Sequence, residues 1–149
     1  MAPLFRKGGA DLNDPGPDEI REHKLDAVKT LAERFTYDLG LLIAGHPVEL
    51  EQYVADSPAR RLRHSVEPFL ACGDAMRPNF GDYGELRIEG YLLSSDHPIY
   101  AYVEFDDQSI RETSTGDLIP TGRRRMLLSL VIDPSAGRVL DYRLQPVGS

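Results

Sequence analysis

Cysteine is nearly missing from this chain: Cys72 is the only one among 149 residues. A lone thiol excludes an intramolecular disulfide and any metal site built on a cysteine cluster. No base and no thiolate-favouring setting is readable beside Cys72, so it reads as a small buried hydrophobe rather than a nucleophile. Long apolar runs are missing as well. The longest, Leu39 to Ala44, is far short of the roughly 20 residues of a membrane-spanning helix. The opening Met1-Ala2-Pro3-Leu4-Phe5-Arg6-Lys7-Gly8-Gly9 lacks the apolar core of a signal peptide, and the expectation is a soluble cytoplasmic protein.

Net positive charge is absent too. A formal charge of −7 and a pI near 5.0 set the long-range field against phosphate backbones, which argues against nucleic acid as a partner. Arg60, Arg61, Arg63 and His64 make one local basic patch and Arg123, Arg124 and Arg125 another; both read as solvated faces. No glycine-rich phosphate loop is present, since Gly8-Gly9 follows no strand. His23, His64 and His97 pair with no second His or Cys at ligand spacing, so neither a metal nor a cofactor is expected.

What remains suffices for one domain. A chain of this length buries roughly 68–70% of its unfolded surface and needs no covalent staple. Residues 1–17 hold few large apolar groups and read as a tail, leaving 18–146 as a single domain. Pro17, with Asp18, Glu19 and Glu22 behind it, suits a helix start. Leu25, Val28, Ala32, Phe35, Leu39 and Leu42 then follow a 3,4 spacing that predicts a helix from Asp18 to Ala44 with one buried stripe. At about 40 Å it outruns any strand of eight or nine residues, so its first turns should overhang. Pro47 to Val54 suggests a short second helix. Ser57-Pro58 suggests the cap of a third, with Leu62, Val66, Phe69, Leu70 and Met76 as its stripe and a kink near Pro68. Arg77 to Gly84 reads as a loop.

Near residue 85 the period changes to two. Strands are expected around Leu86 to Leu92 with a bend at Gly90, from Ile99 to Phe105 and onward to Arg111, from Arg125 to Ile132, and from Arg138 to Leu144. No helix joins them, so the sheet is antiparallel. The fold class is α+β, with N-terminal helices packed on a curved antiparallel sheet of four to six strands.

Strict alternation turns Asp107 and Tyr142 inward, and His46 continues the helical stripe at its end. Those three could meet at a cavity mouth, where an imidazole, a carboxylate and a phenol suffice for proton transfer on a small ligand. The simpler alternative leaves Asp107 in water and Tyr142 on a backbone carbonyl. On the outer face Tyr91, Tyr100, Tyr102, Leu127, Val131 and Val139 are too apolar for full solvation, which suggests a homodimer interface. In the tail, Leu4 and Phe5 stand beside Arg6 and Lys7 as a candidate docking element for a protein partner.

The run Ala44-Gly45-His46-Pro47-Val48-Glu49-Leu50-Glu51-Gln52-Tyr53-Val54-Ala55-Asp56 resembles the connector between the first two helices of nuclear transport factor 2-like proteins. So do Tyr102-Val103-Glu104-Phe105, Ile110-Arg111-Glu112 and Gly116-Asp117-Leu118. Within that superfamily the chain is most similar, over residues 20–144, to the C-terminal domain of the mitochondrial import-motor subunit and its bacterial relatives. The resemblance implies a cone of sheet wrapped on a long helix, but no single activity. Its members include non-catalytic binding modules as well as isomerases, cyclases and hydrolases. The sequence therefore predicts an interaction module that dimerises through its sheet and docks a partner through its tail and long helix, or alternatively a binder or enzyme for a small apolar ligand in the cone.

Overall fold

The computed structural model describes residues 17–90 and 97–148. Helix α1 (Pro17–Ile43) follows the predicted stripe: Val28, Ala32, Phe35, Leu39 and Leu42 are buried, with Leu31 added beside them. Leu25 is half-buried and Arg21, Glu22, His23 and Asp26 are exposed, so the early turns project past the packed layer. Thr36 sits on the buried face because its hydroxyl donates to Ala32 O at 2.8 Å. The helix ends on Gly45 at φ +86. Its N–H donates to Leu42 O and that of His46 to Leu41 O, each at 3.0 Å, a Schellman closure that only a left-handed residue permits at low strain.

The second helix shrinks to a single 3-10 turn, Leu50–Gln52. Its end is taken by the sheet: Ala55 N–H donates to Val139 O at 2.9 Å, and Tyr53 O accepts from Val139 N–H at 2.7 Å. Those bonds hold Ala55 extended as the N-cap of α2 (Asp56–Ala71), so the helix opens before Ser57 and without a side-chain cap. Ser57-Pro58 is thus inside the first turn. Pro68 lies in the last turn, and the helix runs through it to Ala71.

Eight strands follow among the described residues: β1 (Ala75–Arg77), β2 (Phe80–Gly81), β3 (Arg87–Glu89), β4 (Ile99–Asp107), β5 (Ile110–Glu112), β6 (Leu118–Pro120), β7 (Arg124–Asp133) and β8 (Arg138–Pro146). The ladders between these strands are antiparallel, and an isolated parallel bridge joins Val54 to Val139. The main sheet has five strands, in the order β2-β4-β7-β8 with β3 also on β4, and a second sheet runs β1-β5-β6. The expected loop at 77–84 therefore carries the short strand β2 and the last residue of β1, Met76 belongs to β1 rather than α2, and β4 stops at Asp107 instead of running to Arg111. Asp107 causes the stop, because its carboxylate accepts from Ser109 N–H at 2.9 Å and turns the chain.

One bulge sets the phase of β8. Register shifts between Val131, opposite Asp141, and Ile132, opposite Val139, leaving Leu140 as the extra residue. Val139 and Tyr142 consequently both face the helices, which strict alternation forbids. Val139 is fully buried, not on the outer face. Tyr142 meets Phe35 at 5.4 Å between ring centroids, locking α1 to β8.

Candidate functional site

The three residues expected at a cavity mouth do not converge. Asp107 and Tyr142 pair with Arg124 and Leu130, six positions apart on β7. That separates them by about 20 Å along the strand. Asp107 serves the turn after β4 and lies 4.0 Å from Arg124. The Tyr142 ring is covered by the Arg61 guanidinium at 4.5 Å. His46 is exposed and contributes its backbone N–H to the end of α1. Cys72 is exposed as well, at the C-cap of α2, because the helix ends before its stripe can reach it.

On the outer face of the main sheet four of the expected residues, Tyr100, Tyr102, Leu127 and Val131, lie on the paired strands β4 and β7. Tyr100, 43% exposed, lies opposite Val131, Tyr102 opposite Ser129, and Glu104 opposite the half-buried Leu127. On β3, Arg87 pairs with Tyr102 and Glu89 with Tyr100. The Arg87 guanidinium stacks 4.9 Å from the Tyr102 ring, and a hydrogen bond to Glu89 pushes the Tyr102 phenol up from its ordinary range. Two rows thus cross the sheet, each with a tyrosine at its centre. Tyr91 and the tail residues Leu4, Phe5, Arg6 and Lys7 lie outside the described residues.

A groove of about 510 Å³ opens between α1 and the segment leading into β3. Ala32, Thr36, Leu86 and Val103 form its apolar floor; Lys29, Glu33, Tyr37 and Tyr83 form its rim. Both rim tyrosines are exposed, Tyr37 at 69% and Tyr83 at 52%. The groove exists because β2 and β3 share β4 but leave Asp82 to Leu86 between them unladdered, save for Gly84 N–H on Glu104 O at 2.9 Å. No period in the sequence marks that gap.

The buried charges also escaped sequence reading. Asp106, 4% exposed, accepts from Arg123 Nε at 2.7 Å and Arg125 Nη1 at 3.0 Å, with Glu104 and Asp82 around them. Asp74 is held by Arg111 and by Ser114 N–H at 3.2 Å. The Arg125 guanidinium beside Asp106, and that of Arg111 beside Asp74, hold both carboxyls below the usual range. Tyr53 donates to Asp38 at 2.7 Å, and burial first, then that carboxylate, push its phenol far up. The arginine patches are engaged in the same way, Arg61 with Asp141 at 2.7 Å and Arg63 with Glu51. Among the described residues no group of three or more His, Cys, Asp or Glu could hold a metal ion. Nor is any helix among them long and apolar enough to cross a membrane. No family model and no curated protein matches the chain.

Proposed function

We propose that this protein is a non-catalytic interaction module that pairs with a second copy through the outer face of its main sheet. The observation that carries the reading is the arrangement of the two rows on that face. A twofold axis crossing the strands between them would set Arg87 of one copy against Glu89 of the other and Tyr100 against Tyr102, with Leu127 and Val131 covered beside them. Aromatic and aliphatic groups framed by opposite charges are the usual anatomy of an interface. The buried carboxylates support the non-catalytic part, since the oxygens of Asp74 and Asp106 are already taken up by Arg111 and Ser114 N–H and by Arg123 and Arg125. The proposed kinship with nuclear transport factor 2-like proteins, which often dimerise through their sheets, points the same way.

Sedimentation equilibrium at micromolar concentration is expected to give two chains for the wild type and one for Leu127→Glu. A monomeric wild type, or an unchanged Leu127→Glu dimer, overturns the reading. A second reading rests on the groove, whose apolar floor and tyrosine rim suit a small apolar ligand. A thermal-shift screen with small aromatic carbonyl compounds tests it, and stabilisation that Val103→Asp removes would support it.

A further inference from the structure

Charge is ordered on the outer face of the main sheet. Across β3, β4, β7 and β8 the register places Glu89, Tyr100, Val131 and Asp141 in one row and Arg87, Tyr102, Ser129 and Arg143 in the next. The first row ends in a carboxylate on both sides, the second in a guanidinium on both sides. We infer that this order selects a second copy of this chain as partner and fixes its orientation: each strand lies antiparallel on its own copy, and the acid-ended row of one sheet covers the arginine-ended row of the other. The inference rests on the sheet-face reading and adds to it the residues that set orientation and specificity.

Aligned sheets keep their strand directions within about 30° of each other, so rows meet rows. A twofold axis in the plane of the contact runs either across the strands or along them. With the axis across the strands and between the rows, Arg87 meets Glu89 of the other copy and Arg143 meets Asp141 of the other copy. Symmetry doubles each contact, so every row end faces its opposite charge. With the axis along the strands, between β4 and β7, each row meets itself in reverse. Glu89 then faces Asp141 and Arg87 faces Arg143, and every row end meets a like charge. Opposed like charges exclude a docking mode more strongly than rim ion pairs favour one, so the charge order decides for the axis across the strands.

The four charges are available for this role. Arg87, Glu89, Asp141 and Arg143 are exposed. Among the described residues Arg87 and Arg143 make no ion pair of their own. Arg87 stacks on the Tyr102 ring and Glu89 bonds the Tyr102 hydroxyl, which holds both at the β3 end of the rows. At the β8 end, Asp141 takes Arg61 at 2.7 Å and Tyr142 N–H at 2.8 Å on the same oxygen, Oδ1, with no donor on Oδ2 among the described residues. Three strand spacings set the row ends about 14 Å apart, outside the aromatic and aliphatic centre. Charges at such a rim steer and select a partner, while the covered centre supplies the affinity.

The test is sedimentation equilibrium of the full chain carrying single charge reversals. Arg87→Glu and Glu89→Arg are each expected to raise the dissociation constant of the dimer at least about tenfold, because each sets two like-charge contacts in the symmetric pair. An equimolar mixture of the two is expected to return to within about threefold of the wild-type constant, since each reversed side chain then faces its opposite. Arg143→Glu, on another strand, is expected to weaken self-association in the same way, and it repeats the test should β3 not tolerate a change. A tighter dimer for Arg87→Glu would put the axis along the strands, where the new carboxylate meets Arg143, and would overturn the inference. A mixture no tighter than its components overturns it as well. Charge reversals that leave the constant unchanged, beside a wild-type dimer that Leu127→Glu dissociates, overturn the register and spare the sheet-face reading; a monomeric wild type overturns both.

Discussion

Phe35→Ala is the sharpest probe of how the helical layer is held on the sheet. Phe35 is 1% exposed, sits midway along the α1 stripe and touches the Tyr142 ring across the layer. Truncating a buried phenylalanine typically costs about 3–5 kcal/mol, and the value depends on how far the site can collapse. Collapse is restricted here. Tyr142 is held by its ladder to Leu130 and by the Arg61 guanidinium above it, and Ala32 and Leu39 are fixed on the same helix. We therefore expect about 4 kcal/mol, which for a domain of this size lowers the melting temperature by roughly 8–16 °C. Urea titration followed by circular dichroism gives the free energy, and an unchanged slope shows that the comparison is two-state. Phe35→Leu, which keeps most of the volume, should cost clearly less. A double-mutant cycle of Phe35→Leu with Tyr142→Leu should return a coupling of about 0.5–1.5 kcal/mol for the ring pair. A loss below about 1 kcal/mol for Phe35→Ala, the size of a surface change, would refute the packing of α1 on β8.

Acid should expose the Asp106 cluster. A carboxyl whose folded pKa lies below its unfolded value stabilises fully above about pH 4 and loses that contribution as pH falls through the folded value. Asp106→Asn should therefore melt below the wild type at pH 7, with the gap narrowing as pH falls below about 4; a gap independent of pH would refute the ion-pair account. Cys72 should react with one equivalent of a thiol reagent in the folded protein without denaturant, and protection until unfolding would contradict its exposure. Tyr53→Phe removes the hydroxyl that Asp38 accepts and should cost about 1–2 kcal/mol in urea titration, since Asp38 then loses a buried donor; an unaffected midpoint would mean that the bond contributes nothing.

Local periodicity by itself determined the layers. The 3,4 spacing from Leu25 to Leu42 needs no partner to specify which side of α1 is apolar, and Gly45 before Pro47 marks its end through backbone geometry alone. The alternation in β4 and β7 likewise decided which side chains face the helices, because a pleated strand has only two faces. The outer-face set Tyr100, Tyr102, Leu127 and Val131 was legible for the same reason. What only the tertiary structure decided are features set by contacts remote in sequence. The bulge at Leu140 turned Val139 inward because residues 53–55 supply partners for its backbone, some 85 positions away. Asp106 became the buried carboxylate instead of Asp107 because two arginines cover it, Arg125 from the next strand and Arg123 from the position just before that strand begins. The groove opened because β2 and β3 share β4 without covering its middle. Period reports which face of an element is apolar; it cannot report where a ladder slips, which charges pair across strands, or where two elements fail to meet, since each is settled by residues that a local window never sees together.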